Sequence, residues 1–197
     1  AVDEQSGFSG VDQRQFELLN RSMCELADVV ICSAGSLAER YRPFNPNTHQ
    51  VSHGVNYHLF SRVLTDVTDN IPDPVRELKK PVLGFWGHIS HDWVDADLLK
   101  SLAVEQPDWT ILLIGRNHMA PSEFQDHPNI VLTGEVPYES LPDYCKVIDV
   151  GLIPFVKTSL TENCNPLKLY EYLSAGLPVV STDIPEVRNW RDHVLIA

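Results

Sequence analysis

No apolar run approaches the ~20 residues that span a bilayer, so no membrane-crossing helix is expected. Cysteine is sparse. Cys24, Cys32, Cys145 and Cys164 show no paired spacing of the kind that binds a metal. The first three lie among apolar neighbours and read as buried thiols in a reducing cytoplasm. Positive charge is also short: fifteen Lys and Arg against twenty-seven Asp and Glu give a net charge of −12. That balance argues against a nucleic-acid surface but leaves room for one small basic site. No G-x-G-x-x-G opens a helix after a strand, which disfavours a dinucleotide site. Neither Ser36 nor Ser181 sits in the nucleophile elbow of a hydrolase. Internal repeats and low-complexity tracts are missing too. So is a signal-peptide pattern, although the opening AVDEQSGF does not look like a native start.

What the chain does have is alternation. At 43% hydrophobic and 21% charged, its 197 residues have an ordinary globular composition. Phe16, Leu19, Met23 and Leu26 recur at helical spacing and predict a helix over 11–27. DVVICSA at 28–34 reads as a strand, and Ser36 as the cap of a helix ending before Pro43. His49 to His53 reads as a second strand, turning at Gly54. Residues 61–80, with Asp66, Asp69, Asn70, Pro72, Asp73 and Pro74, have linker composition and room for one short helix. Strands are then expected at 81–87, 109–115, 130–134 and 148–155. Helices are expected at 92–104, with Val94, Leu98, Leu99 and Leu102 inward, and at 137–147. The fold class is α/β: a Rossmann-like, doubly wound parallel sheet whose ligands sit beyond the carboxyl ends of the strands. Gly87-His88-Ile89, Gly115-Arg116, Gly134-Glu135-Val136 and Pro154-Phe155 all fall at such ends.

The most informative stretch is NPLKLYEYLSAGLPVVST, 165–182. Asn165 reads as an N-cap and Pro166 as the first helical residue. Leu167, Tyr170 and Leu173 form the expected inward face. Gly176 suits a left-handed C′ position, Pro178 follows it, and Val179-Val180 begins a buried strand. Lys168 lies in the first turn, where the helix dipole favours an anion, so it makes sense beside a bound anion. Glu171, three residues on, is placed to share that ligand and to accept from ribose hydroxyls. The alternative is an exposed i,i+3 ion pair worth about 0.2–0.5 kcal/mol.

With its flanks, this stretch resembles the donor-binding segment of GT-B glycosyltransferases, especially retaining family 4. Those enzymes carry a carboxylate, seven residues, a second carboxylate, a small-residue turn and a PVV strand. Glu171 matches the second carboxylate and AGLPVVST the turn and strand. The first falls on Asn163 by strict count, or on Glu162 with one extra loop residue. IDVGLIPF and NPLKLYEYLSAG are similar to the wording of one subgroup. Upstream, ADVVICS, HGVN and Phe60 resemble the end of the family's first domain, with His53 and Asn56 in place of its usual Asn and Asp.

The resemblance implies that 1–56 is the end of an N-terminal acceptor domain and 57–80 a linker. Residues 81–197 would be a truncated C-terminal donor-binding domain. It implies a hexosyltransferase-type enzyme moving sugar from a nucleotide-diphosphate sugar to an acceptor hydroxyl with retention, in polysaccharide or glycoconjugate biosynthesis. Gly87 and His88 would form the first glycine loop, Arg116 would face the nucleotide, and Gly134 and Val136 would border the base. Asn165, Leu167 and Lys168 would hold the diphosphate. Glu171 and Glu162 would be the catalytic-site carboxylates, Glu171 on the ribose and Glu162 (or Asn163) on the donor sugar.

The family's basic pair after the first donor-domain strand is missing, because HISHDWVDADLLK is acidic. Neutralisation then shifts to Lys168, Arg116 and helix amides. His88, His91 and Asp92 invite a metal reading, but members of this fold usually need none, so neither metal nor other cofactor is expected. The expected partners are a nucleotide sugar and, through the first domain, an acceptor glycan or lipid-linked glycan. Nucleic acid is not expected, and peripheral contact with the inner face of the membrane stays open for the full-length enzyme. Alone, the chain is expected to bind donor weakly without catalysis, as a piece of a longer enzyme. Two rivals are a nucleotide-sugar epimerase of the same fold and a non-catalytic nucleotide-sugar binding module.

Overall fold

The computed structural model describes residues 10, 12–68 and 70–197. Outside the described residues lie 1–9 and 11, with the start of the predicted 11–27 helix, and Asp69 of the predicted linker.

Asp12 opens α1 (Gln13–Leu26) by accepting the Gln15 amide at 3.0 Å. The apolar stripe of this helix is largely open. Cys24 is the buried residue of this helix, while Leu18, Leu19, Met23 and Leu26 face solvent. The cause is the small body beneath it: β1 (Val30–Cys32), α2 (Gly35–Tyr41) and β2 (Thr48–Gln50), a two-stranded parallel sheet with one helix. The core of this unit, around Cys24, Val30, Leu37 and Tyr41, cannot cover a second helix face. Asn45 ties the end of α1 down, donating to the Cys24 and Ala27 carbonyls at 2.9 and 2.7 Å. Ser36 does not cap α2. Ala34 holds that position, and the Glu186 carboxylate, far away in sequence, accepts the Gly35 N–H at 2.6 Å.

The predicted linker is packed rather than free. Asn56 caps α3 (Tyr57–Phe60), a 3-10 turn spans Ser61–Leu64, and α4 (Asp73–Arg76) follows. Phe60 and Val75 are fully buried in the large core. Lys146 holds the segment through Asp66 and the Thr68 carbonyl, each at 3.0 Å. The polar composition concealed two apolar anchors.

The large sheet takes β3 (Val82–Trp86), α5 (Ala96–Glu105), β4 (Thr110–Ile114), β5 (Ile130–Gly134), α6 (Leu141–Cys145) and β6 (Val150–Ile153) in chain order. Then come α7 (Ser159–Glu162), α8 (Leu167–Ser174), β7 (Val179–Ser181), α9 (Pro185–Arg188) and β8 (Leu195–Ile196). All pairings are parallel, in the order β5-β4-β3-β6-β7-β8. The α/β class and parallel sheet are as the sequence implies. Two helices differ from expectation. Asp95 caps α5, so Val94 is buried ahead of it and Leu98 is 43% exposed. The expected 137–147 helix divides into a 3-10 turn, Tyr138–Ser140, and α6. Among the described residues no helix is long and apolar enough to cross a membrane.

Strand order reverses between β3 and β6, so the loops leaving their carboxyl ends diverge and open a crevice. The loops beside it are laced together. The Ile89 N–H donates to the Arg116 carbonyl at 3.1 Å, and the His118 N–H to the Ile89 carbonyl at 2.8 Å. Gly115, at φ +135°, lies where a methyl group would collide with the Gly87 carbonyl oxygen. Gly115→Ala is therefore expected to destabilise the fold by about 3 kcal/mol. Gly54→Ala, with open space around it, should stay within about 1 kcal/mol of wild type. Urea unfolding of both variants checks the contrast.

Candidate functional site

The helix at the mouth of the crevice is α8, and it starts differently from the sequence reading. Pro166, not Asn165, occupies the cap position, and no side chain caps the first-turn amides. Asn165 is turned away. Its Nδ2 donates to the Ser33 carbonyl at 3.1 Å and to Glu186 Oε2 at 3.4 Å, tying α8 to the small N-terminal unit. The inward face differs too. Leu169 and Tyr172 are buried, while Leu167 is 39% exposed and Tyr170 packs against Trp190. Gly151 sets this rotation: its missing side chain admits the Tyr172 ring, whose hydroxyl donates to the Leu152 carbonyl at 3.0 Å. The helix ends as expected. Gly176 takes φ +73°, its N–H bonds to the Leu173 carbonyl, and the Leu177 N–H bonds to that of Tyr172, a Schellman closure.

This rotation turns Lys168 and Glu171 into the crevice. The Lys168 ammonium lies 4.8 Å from the Phe155 ring centroid and 5.2 Å from that of Phe85. Among the described residues it has no hydrogen-bond or ion-pair partner within contact distance. Desolvation pulls its pKa below the ordinary lysine range, and the Cys164 thiol and the Glu171 charge only partly oppose that shift. An isolated, desolvated cation beside free helix amides is a vacancy for an anion.

Glu171 is buried at 3% exposure yet borders the same cavity. Its Oε2 accepts from the Trp86 indole N–H at 2.7 Å. Its charge also acts on Tyr138, whose pKa is pushed up to about 12 by burial first and then by Glu171. Trp86 is fixed in turn by stacking on Phe60 at 5.9 Å and by edge contact with Tyr172 at 4.2 Å. Sequence reasoning missed Trp86 and Tyr138. The hydrogen bond joins residues 85 positions apart, and neither aromatic belongs to a motif that would single it out.

The cavity measures about 510 Å³, within the ~300–1,000 Å³ typical of small-molecule sites. Gly87, His88, Arg116, Val136, Leu167, Lys168 and Glu171 line it, so most of the expected site residues converge. Arg116 stands at its rim, 3.6 Å from Glu135, both side chains about two-thirds exposed. His118, which the sequence did not single out, stacks on His88 with ring centroids 4.1 Å apart. A smaller lobe of about 260 Å³ shares His88, Leu167 and Lys168 with the first. It adds His53, Trp93, Phe155 and Asn165, whose Oδ1 has no partner among the described residues.

Three expected residues stand outside both lobes. Gly134 accepts the Gly115 N–H instead. Glu162 is exposed at the end of α7, and Asn163 is buried, with Nδ2 on the Ser159 carbonyl at 2.6 Å. Among the described residues no three His, Cys, Asp or Glu side chains gather as a metal site.

An open parallel sheet whose crevice lies where strand order reverses is a Rossmann-like architecture, as expected of a GT-B fold. Comparison with known proteins agrees. The family described as glycosyl transferases group 1 matches residues 80–197, and the chain belongs to it. A curated relative is TuaH of Bacillus subtilis (strain 168), whose name assigns it to teichuronic acid biosynthesis as a glycosyltransferase. It is 32% identical over 171 residues, covering 81% of this chain and 41% of TuaH. Among solved structures, Anabaena HepE in complex with UDP-glucose matches 96% of this chain and 54% of its own, at a TM-score of 0.71 and 15% identity. Sucrose-phosphate synthase of Thermosynechococcus elongatus matches 99% and 50%, at 0.65 and 16%. At those identities the likeness is one of fold. The chain thus spans about half the length of the proteins it resembles.

The Trp86–Glu171 bond is open to a direct check. A double-mutant cycle of Trp86→Phe and Glu171→Gln, read by urea unfolding, should give a coupling of about 1.5–3 kcal/mol, as for a hydrogen bond to a charged group. Additive effects would show that the bond contributes nothing to the fold.

Proposed function

We propose that this chain is the donor-binding part of a retaining, family 4-like glycosyltransferase that uses a nucleotide-diphosphate sugar. The observation that carries the reading is Lys168: a desolvated cation with no ion-pair partner among the described residues, beside the uncapped amides of α8, at the switch point of the sheet. A diphosphate answers all of these at once. On this reading the nucleoside lies in the larger lobe, with its ribose on Glu171 and its base toward Val136. The sugar enters the smaller lobe near Asn165 and Trp93.

Transfer then rests on positioning and on stabilising the charge that builds on the leaving diphosphate. Lys168 and the amides meet that charge, and the reading calls for no metal. Glu171 serves as the catalytic-site carboxylate. Glu162 would reach the donor only through a shift of α7. The acceptor, a glycan or lipid-linked glycan of polysaccharide biosynthesis, would bind to chain beyond this sequence. The HepE complex with UDP-glucose and the TuaH name support this choice of donor and pathway class.

Calorimetric titration of UDP, GDP and ADP into the chain is the test. One nucleotide should bind. Lys168→Met should weaken it by roughly 10- to 100-fold, the loss of one charge-assisted contact, and Glu171→Ala should weaken it too. The unliganded Lys168→Met protein should be no less stable than wild type, because the substitution removes an uncompensated charge. No binding to either the folded chain or its longer parent would overturn the reading. Conversion of nucleotide sugar by the parent without any acceptor would indicate an epimerase instead.

A further inference from the structure

Charge balance in the crevice leaves a gap. The diphosphate of a nucleotide sugar carries two negative charges near neutral pH, and Lys168 supplies one positive charge. Arg116 adds little net charge, because it is paired with Glu135 at the exposed rim. The loop after β3 reads HISHDWVDADLLK and contributes no lysine or arginine until Lys100. Lys100 is itself held by Asp97 and Glu123, both at 2.8 Å.

Two imidazoles stand in the vacant place. His88 follows β3 and His118 follows β4, and both line the larger lobe together with Lys168. Their rings stack at 4.1 Å with an interplanar angle of 26°. The backbone bonds that lace the two loops through Ile89 hold them in register. Among the described residues neither ring is engaged in a side-chain hydrogen bond, and both residues line the cavity. Stacked neutral imidazoles tolerate one proton between them but resist two unless an anion lies alongside.

The geometry points to the His88–His118 pair as the second cation of the diphosphate site, taking up a proton when the nucleotide sugar binds. This inference rests on the donor-site reading above and adds residues and a proton to it. The free site favours the neutral form. Burial lowers the His88 pKa first, then the His118 and Arg116 charges, with Asp92 opposing them. Lys168 adds to the repulsion across the cavity. Glu171 and Glu135 line the same cavity and favour the charged form, and Tyr138 lines it as a neutral phenol. From the smaller lobe, His53 and Cys164 are the other titratable groups beside His88. A bound diphosphate reverses this balance and raises the pKa of the pair. The sign follows: protons are taken up on binding, and affinity falls as pH rises through the window between the free and bound pKa values.

The experiment uses the whole chain and UDP-glucose, GDP-mannose and ADP-glucose as probes. In a nucleotide sugar each phosphate carries one ester and one anhydride link, so neither titrates near neutrality and the ligand does not blur the result. Calorimetry at about pH 6 and about pH 8, in buffers of differing ionisation enthalpy, should show proton uptake. Affinity should drop at least about tenfold between the two pH values. His88→Asn and His118→Asn, both at exposed positions, should remove most of that drop by weakening binding more at pH 6 than at pH 8. Lys168→Met should weaken binding at both pH values and keep the slope. Binding without a pH slope, or a slope that survives both histidine substitutions, would overturn the clamp and leave the donor site standing. No binding of any probe at either pH would overturn the donor-site reading and the clamp with it.

Discussion

A lysine ammonium held between two phenyl faces, with no carboxylate paired to it among the described residues, is costly to keep in a folded protein. Cation–π contact with Phe85 and Phe155 recovers only part of that cost, on the order of 1–2 kcal/mol. The surroundings of Lys168 leave it without an ion-pair partner among the described residues. Pro166 leaves the first-turn amides of α8 uncapped, and Asn165, which could have capped them, is diverted to Ser33 and Glu186. The nearest carboxylate, Glu171, is turned to the Trp86 indole rather than to the lysine. Such spending makes sense where binding, rather than stability, has shaped the position.

The fold delivers these groups to one place by simple means. Reversal of strand order between β3 and β6 opens a crevice, and the elements that border it come from β3, β4, β5 and α8. Glycines at the strand ends let the loops approach closely, and the backbone bonds through Ile89 fix their spacing. Glu186 and Asn165 connect the small N-terminal unit to the same helix, so movement of that unit would be felt at the first turn of α8. The apolar face of α1, open to solvent, belongs to that small unit and is remote from this chemistry.

Much of this was legible in the sequence. Parallel strands announced themselves as short β-branched runs, and α8 could be read from Pro166, Gly176 and the Val179-Val180 strand. Lys168 and Glu171 stood out because packing gave them no reason to be there. What escaped was set by tertiary contact. The rotation of α8 depends on the space above Gly151, which no helical period in 165–182 can reveal. Glu171 is positioned by an indole 85 residues away, and His118 matters only because the β4 loop folds onto His88. The cap of α2 comes from Glu186, so Ser36 was a reasonable but wrong local choice. The segment 57–80 looked like a linker because its buried residues, Phe60 and Val75, are outnumbered by polar neighbours.

The most direct measurement is the titration of Lys168 itself, followed by NMR of its side-chain resonances in the free chain and with bound nucleotide diphosphate. In the free chain it should titrate below the ordinary lysine range, as desolvation dictates. With the diphosphate bound, its pKa should rise by roughly one unit or more, as expected for an opposite charge within contact distance. A Lys168 pKa that is ordinary in the free chain, or unmoved by a nucleotide that binds, would contradict the role given to this residue.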